Sequence, residues 1–268
     1  MYHRPTGLSS FLVVCFGLML NTLGADDTQK NSPKPIRALL ITGGCCHDYG
    51  KQKDILKHGI ESRVLVEFTQ VHTDDRSTKA RFEMYASPDW AKGYDVVIHD
   101  ECTSDVKEIP YVQNILNAHK AGIPAVNLHC AMHSYRVGTD DWFKFVGIQS
   151  AAHGPQKPIE VTFVDRDHPV SKGLENWITV NEELYNNLKL FDTAKPLARG
   201  KQDTGKVVDD YVVAWVNQYG STRVFSTTLG HNTETVADPR YLDLVTRGLL
   251  WACDKQTPEF QRPFKPAK

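Results

Sequence analysis

The sequence predicts an α/β protein with a doubly wound, mostly parallel sheet to which antiparallel strands are added. The first observation is a series of near-continuous apolar segments, typical of strands buried on both faces, at residues 36–42, 63–68, 94–99 and 125–128. The second is that helical segments with one apolar face lie between them. The third is that the second half changes to alternating strands, at residues 159–164, 211–215 and 224–228.

Local signals support the remaining elements in chain order. A Gly-Gly pair at 43–44 ends the first strand, and a helix with one apolar face is predicted from about residue 51 to 62. Residues 74–89 are predicted to be a polar loop with a short helix. The next helix stops at Gly122 and is followed by a proline, which is the usual form of a helix end. A closing helix is predicted from about residue 238 to 253.

The first 25 residues have the pattern of a secretory signal peptide, with an uncharged apolar run at 11–20. That run is too short to span a bilayer as a permanent anchor. The predicted organisation is a signal peptide at 1–25, a linker at 26–35, one domain at 36–254 and a flexible tail at 255–268. We therefore expect an exported bacterial protein, periplasmic or secreted, with no membrane segment once the signal is removed.

The charge balance, 31 basic against 32 acidic residues, predicts no binding of nucleic acid or of a lipid surface. A small uncharged partner fits this composition better, and the sequence leaves the oligomeric state open. The glycines at 43–44 lack the spacing of phosphate-binding loops, so no nucleotide cofactor is expected.

The cysteines that remain after removal of the signal show no CxxC spacing; they are Cys45, Cys46, Cys102, Cys130 and Cys253. Burial as small apolar residues is the favoured interpretation, because free cysteines are found mostly in protein interiors. A disulfide formed after export is left open.

Histidines follow three of the predicted strands. His47 and Asp48 come after the first strand, His129 after the fourth and His231 after the last, while His153 lies in a loop between glycine- and proline-containing stretches. Open α/β sheets bind ligands beyond the carboxyl ends of their strands, so these side chains are expected at one edge. Their coincidence favours a functional pocket over unrelated surface histidines.

Acidic residues form the second group of candidates. Asp100 and Glu101 are expected just after the third strand. Glu183 and Tyr185 belong to the stretch Asn181–Tyr185, which is either the solvated start of a helix or the source of a general base or metal-binding carboxylate.

A cysteine nucleophile is a competing hypothesis. Hydrolases place their nucleophile at a sharp turn after a strand, flanked by small residues. Here His129 occupies the turn, Cys130 follows it, and only Ala131 is small. The interpretation of Cys130 as a buried neighbour of the site is therefore favoured over attack by Cys130 with His231 as its base.

Together these motifs resemble the ThuA-like (trehalose-utilisation) family over residues 36–253. The shared features are, in order, Ala38–Gly44 with His47 and Asp48, Gly122–His129, His153, Asp167–Val170, Lys172–Leu174, Glu182–Tyr185, Ala214 and Trp215, Tyr219 and Gly220, Arg223–Phe225, Thr228–His231, and Gly248–Ala252. The resemblance implies a flavodoxin-like three-layer sandwich, similar to class I glutamine amidotransferases but without their catalytic triad. It also implies a role in sugar catabolism, beside enzymes that act on 3-keto-glycosides. Glu182 stands where the family more often has aspartate.

The first functional hypothesis is therefore a sugar-processing enzyme acting on keto-glycosides or sugars. An isomerase, an epimerase, a hydrolase and a lyase all remain open, whereas an amidotransferase is not expected. The predicted catalytic residues are His129, His231 and Glu183, because proton abstraction beside a carbonyl needs a base and an electrophile.

The other assignments of this hypothesis concern ligands. His129, His153 and His231 are predicted to hold a divalent metal, with zinc as the expected ion. His47, Asp48 and Tyr185 are predicted to bind the carbohydrate. The second hypothesis is a carbohydrate-binding module without catalysis.

Overall fold

The computed structural model describes residues 1–3, 7 and 33–263. The apolar run of the predicted signal peptide, residues 26–32 of the predicted linker and residues 264–268 of the predicted tail lie outside the described residues. Among the described residues, no helix combines the length and the apolar character needed to cross a membrane.

The strands are β1 (Ile36–Gly44), β2 (Val66–Thr73), β3 (Val96–Cys102), β4 (Ala125–Leu128), β5 (Ile148–Gln149), β6 (Lys157–Phe163), β7 (Trp177–Glu182), β8 (Lys189–Leu190), β9 (Ala194–Asp203), β10 (Val208–Tyr219) and β11 (Thr222–Thr227). The α-helices are α1 (Tyr49–Glu61), α2 (Ile109–Lys120), α3 (Asp141–Val146), α4 (Thr233–Ala237) and α5 (Pro239–Ala252). Short 3-10 helices span Glu83–Ala86, His129–His133 and Pro258–Phe260.

Within the described part of the chain, nine strands form one mixed sheet in the order β2-β1-β3-β4-β11-β10-β9-β6-β7. The pairs from β2 to β11 are parallel, and those from β11 to β7 are antiparallel. β5 and β8 form a separate antiparallel pair. The predicted fold class, a doubly wound and mostly parallel core with added antiparallel strands, is therefore confirmed.

Helices cover both faces of the parallel core. Along β1, Ala38 and Leu40 pack into one apolar cluster together with residues of α1 and α5. Leu39 and Ile41 point to the opposite face and pack with residues of α2 and α3. Alternate residues of a strand point to opposite faces, which explains why this strand is apolar throughout.

Three element predictions need correction. β2 spans Val66–Thr73 in place of the predicted 63–68; it lies at the edge of the sheet, so most of its residues are partly exposed and do not give a continuous apolar pattern. Asp100 and Glu101 lie inside β3, not after it. Residues 181–182 end β7 and are not a helix start, and the half-exposed β7 and β9 are not recognisable as apolar runs.

The described part of the predicted flexible tail packs against the domain. Phe260 is buried in the apolar cluster on the α5 face, its carbonyl accepts a hydrogen bond from the backbone N–H of Leu65, and Gln261 forms a β-bridge with Val64. The apolar Phe260 therefore holds this segment in place, in contrast to the prediction for residues 255–263.

Candidate functional site

The site lies at the carboxyl edge of the sheet, where the segments after four strands converge. His47 follows β1, His129 follows β4, Glu183 follows β7 and His231 follows β11. β1, β3 and β4 are neighbours in the sheet, and their carboxyl ends meet at the position where open α/β sheets bind ligands.

The turn after β4 fixes the orientation of His129. This residue is buried and has a positive φ of 38°, which is uncommon for a residue other than glycine and turns its side chain towards the pocket. Its Nδ1 lies 2.6 Å from the carbonyl oxygen of Thr228. A carbonyl can only accept, so Nδ1 carries the proton and Nε2 presents a lone pair to the pocket.

Three imidazoles pack edge to face in the pocket. The ring centroid of His47 lies 4.7 Å from that of His129 and 4.8 Å from that of His231, and the last two are 5.4 Å apart. Burial, and secondarily the neighbouring His129, lower the pKa of His47 to about 2. His47 is therefore a neutral imidazole here, and its buried Nδ1 has no hydrogen-bond partner among the described residues.

Glu183 places one carboxylate oxygen among these rings. Its Oε2 lies 3.2 Å from Nδ1 of His231, 3.6 Å from Nε2 of His153 and 3.7 Å from Nε2 of His129. Burial alone would raise the pKa of Glu183, but the neighbouring imidazoles of His129 and His231 outweigh that effect and lower the pKa. The same pairing overcomes the effect of burial on His231 and raises its pKa.

Glu182 holds the backbone of the His231 segment. Its fully buried side chain accepts hydrogen bonds at 3.0 Å from the backbone N–H of His231 and of Asn232. Gln156 contributes a further contact, because its Nε2 donates to Nε2 of His231 over 2.8 Å. The remaining proton of His231 therefore sits on Nδ1, which faces Glu183.

Tyr185 closes the inner wall of the pocket. Its hydroxyl lies 3.1 Å from Nε2 of His129, and its ring stacks on His133 with centroids 3.9 Å apart. His133 is held by Ser150, whose Oγ lies 2.8 Å from His133 Nε2. Burial raises the pKa of Tyr185 well above its ordinary value, so its hydroxyl remains a donor to His129.

The structure brings most of the predicted site residues together. His47, His129, His231, Glu183 and Tyr185 form the pocket, which we call the histidine pocket. His153 reaches it from a loop, with its side chain 42% exposed. Asp48 lies at the outside, is half-exposed, pairs with Lys51 at 2.9 Å and lines a cleft of about 140 Å³ beside His47.

The donor set of the histidine pocket suits a divalent cation. One ring nitrogen from each of His47, His129 and His231 lies within 4.8 Å of the other two. His129 shows part of the arrangement common in metal-binding histidines, because one ring N–H is bonded to a carbonyl, while the other ring nitrogen accepts the Tyr185 hydroxyl. This trio contains His47 and not the predicted His153, whose role as a metal ligand stays a prediction. Three imidazoles are a donor set that zinc favours.

The cysteines depart from the favoured prediction. Cys45 is bonded to Cys46 and Cys102 to Cys130, and Cys253 is the free cysteine among the described residues. Cys130 therefore has no thiol with which to attack a substrate, and the hypothesis of a cysteine hydrolase is wrong for this form of the chain. The apolar character of cysteine explains the burial of these residues but does not indicate their pairing.

Several contacts of the pocket were not predicted. Gln156, His133 and Ser150 carry no local signal, because a glutamine, a histidine or a serine in a loop is common in any sequence.

Cavities larger than the cleft beside His47 lie elsewhere, including one of about 1010 Å³ near the amino ends of β1 and β2. That cavity lacks the converging imidazoles and carboxylate that distinguish the histidine pocket.

Comparison with known proteins gives one family and one fold. The profile of the family described as "ThuA: Trehalose utilisation" matches residues 37–252. A ThuA-like protein from Parabacteroides merdae superposes with a TM-score of 0.67 at 19% identity, covering 82% of this chain and 90% of its own. A ThuA-like protein from Bacteroides uniformis gives 0.61 at 16% identity, with 82% and 92% covered.

A glutamine amidotransferase from Thermotoga maritima shares the fold, with a TM-score of 0.50, 14% identity and 83% of this chain covered against 100% of its own. No curated protein sequence matches this chain significantly. At these identities the solved structures support the α/β sandwich, and the functional argument depends on the histidine pocket itself.

Proposed function

The chain belongs to the ThuA family of trehalose utilisation, and from this premise we propose that it is an exported enzyme that performs acid–base chemistry on keto-glycosides or sugars. The family supports a carbohydrate-related function. Export rests on the apolar run near the amino terminus. The chemistry rests on one observation, the Glu183 oxygen that lies within 3.7 Å of three imidazoles.

A carbon next to a carbonyl loses its proton when a base lies close to it and a donor faces the carbonyl oxygen. His129 supplies the base, because the Thr228 carbonyl fixes its tautomer and leaves the lone pair of Nε2, to which the Tyr185 hydroxyl donates, as the place where it can take up a proton. His231 supplies the donor from Nδ1, which faces the Glu183 carboxylate. The proton taken at carbon by one imidazole is thus matched by a proton given at oxygen by the other.

The other pocket residues are assigned to binding. The hydroxyl of Tyr185 and the imidazole of His47 border the space around His129, and Asp48 lines the adjacent cleft. Sugar hydroxyls are both donors and acceptors, so a neutral imidazole, a phenol and a carboxylate together match them. No amide-transfer chemistry is proposed, because His129 occupies the turn after β4 where an amidotransferase has its nucleophile.

A divalent cation is compatible with this site. His47, His129 and His231 would hold it, and zinc is the ion that their nitrogen donors favour. When bound, it would supply Lewis-acid polarisation of the sugar carbonyl. With the three imidazoles engaged in this way, the Glu183 carboxylate would be in place to accept the proton from carbon.

Titration calorimetry with a 3-keto-glycoside, followed by product analysis, tests the proposal. We expect binding and turnover by the wild-type chain, with turnover abolished in His129→Ala and retained in His58→Ala, which removes an exposed histidine of α1. Repeating both measurements with a chelator reveals whether a metal takes part. Binding without turnover, unaffected by chelator, would instead establish a carbohydrate-binding module.

A further inference from the structure

Four cysteines from three chain segments lie together beneath the histidine pocket. Cys45 and Cys46 follow β1 directly, Cys102 ends β3, and Cys130 follows His129 in the turn after β4. Each pair, Cys45–Cys46 and Cys102–Cys130, forms a disulfide. The two disulfides touch, because Sγ of Cys45 lies 3.4 Å from Sγ of Cys102.

Access to these sulfurs from solvent is graded. Cys46 is exposed, whereas Cys45, Cys102 and Cys130 are all buried. A dissolved thiol can therefore reach the Cys45–Cys46 bond from the Cys46 side but has no open path to the Cys102–Cys130 bond. Thiol–disulfide exchange requires the attacking sulfur to contact the bond it breaks, so any reduction of the buried pair without unfolding has to pass through Cys45.

We propose that the four cysteines form a thiol–disulfide exchange relay, which carries reducing equivalents from an external dithiol at Cys46 to the buried Cys102–Cys130 bond. This activity is separate from the proposed sugar chemistry and does not depend on it. No other sulfur of the described chain bridges the exposed and buried pairs, since the free Cys253 contacts the carbonyl of Asp95 at the other end of β3.

The steps balance without any further reagent. The external dithiol attacks Cys46, and on release as its own cyclic disulfide it leaves Cys45 and Cys46 as thiols. Cys45, as thiolate, then attacks Sγ of Cys102, forming a Cys45–Cys102 bond and releasing Cys130 as a thiolate that takes up the proton. Cys46 finally attacks Cys45, which restores the Cys45–Cys46 bond and releases Cys102 as a thiol.

The relay acts on the turn that carries His129. The Cys102–Cys130 bond ties that turn to the end of β3, one residue after His129. Its reduction removes a covalent constraint beside the histidine pocket, while the restored Cys45–Cys46 bond leaves the loop that carries His47 unchanged.

Peptide mapping can follow every sulfur separately. Trypsin places the cysteines in three fragments, residues 38–51, 93–107 and 121–136. The folded protein is treated with a limiting amount of dithiothreitol, quenched with acid at intervals, alkylated and digested. In the wild-type chain we expect a transient species that joins fragments 38–51 and 93–107, followed by thiols in fragments 93–107 and 121–136. If the joined species never forms while the buried bond is reduced, the relay is wrong.

Two variants separate the steps. Cys46→Ser leaves Cys45 as a lone thiol against Cys102, and we expect a Cys45–Cys102 bond with a free Cys130 thiol before any reductant is added. Cys45→Ser removes the bridging sulfur, and reduction of the Cys102–Cys130 bond should slow by at least about tenfold, because the intramolecular route is lost. Cys253→Ser is the matched control and should reduce at the wild-type rate. An unchanged rate in Cys45→Ser, or an intact Cys102–Cys130 bond in Cys46→Ser, would overturn the proposal.

Discussion

Glu182 is the residue whose substitution tests most sharply how the fold positions the histidine pocket. Its two carboxylate oxygens each accept one backbone N–H, from His231 and from Asn232, at 3.0 Å. Glu182→Gln keeps the shape of the side chain but replaces one acceptor by an NH₂ group, which would face a backbone N–H. One buried donor of the His231 segment is then left without a partner.

The cost follows from these contacts. A hydrogen bond to a charged group contributes about 1.5–3 kcal/mol, so losing one should lower the free energy of unfolding by about 2–3 kcal/mol. For a domain of this size each kcal/mol corresponds to roughly 2–4 °C in Tm, which gives a decrease of about 4–12 °C. Because His231 is held by the same contact, its displacement should lower kcat by about a hundredfold, the scale of a general-acid contribution.

Thermal unfolding followed by circular dichroism, together with kcat and KM on a keto-glycoside, measures both effects. The matched control is Glu175→Gln, which changes an exposed glutamate and should stay within about 0.5 kcal/mol of the wild-type chain. If Glu182→Gln unfolds at the wild-type temperature with the wild-type kcat, Glu182 does not position His231 and the reasoning is refuted.

Three further substitutions address single contacts. Tyr185→Phe removes the donor to Nε2 of His129 and should cost about 1–3 kcal/mol in urea unfolding; an unchanged midpoint would show that this bond contributes nothing. Gly230→Ala, at φ 119°, would bring a methyl group 2.8 Å from a tyrosine hydroxyl and should cost about 1–3 kcal/mol more than Gly122→Ala, at φ 108° in open space; equal costs would contradict the predicted clash. Cys102→Ser opens a disulfide loop with a sequence separation of 28 and should lower the free energy of unfolding by about 3.6 kcal/mol through loop entropy. Fully reduced wild-type protein should show the same loss of stability.

The parallel core was predictable because its signal is local. β4 occupies the predicted residues, and α5 lies within one residue of its predicted ends, since an apolar run and a 3.6-residue period need no knowledge of the rest of the chain. β7 and β9 were not recognised, because strands with one exposed face carry few apolar residues in sequence. Asp100 was placed after β3 since a carboxyl group inside a buried strand is rare; Thr42 donates to it, and burial raises its pKa well above the ordinary value.

The site was predictable only where strand ends indicated it. His47, His129 and His231 follow strands, and the fold brings such positions to one edge. The contact between Gln156 and His231 joins residues 75 positions apart, and the bond that fixes the tautomer of His129 spans 99 positions. Contacts at that separation depend on the packing of the whole domain, and no short motif predicts them. The Cys102–Cys130 disulfide could not be predicted for the same reason, because its cysteines are 28 positions apart.

The most direct test of the central claim is proton exchange at carbon. The protein is incubated with a 3-keto-glycoside in D₂O, and NMR follows deuterium at the carbon next to the carbonyl, a signal common to isomerisation, epimerisation and elimination. The wild-type chain and His58→Ala should both catalyse incorporation, and His129→Ala and Glu183→Gln should each slow it by about a hundredfold or more. Absence of exchange in wild-type protein that binds the sugar, or exchange at the wild-type rate in His129→Ala, would contradict acid–base catalysis in the histidine pocket.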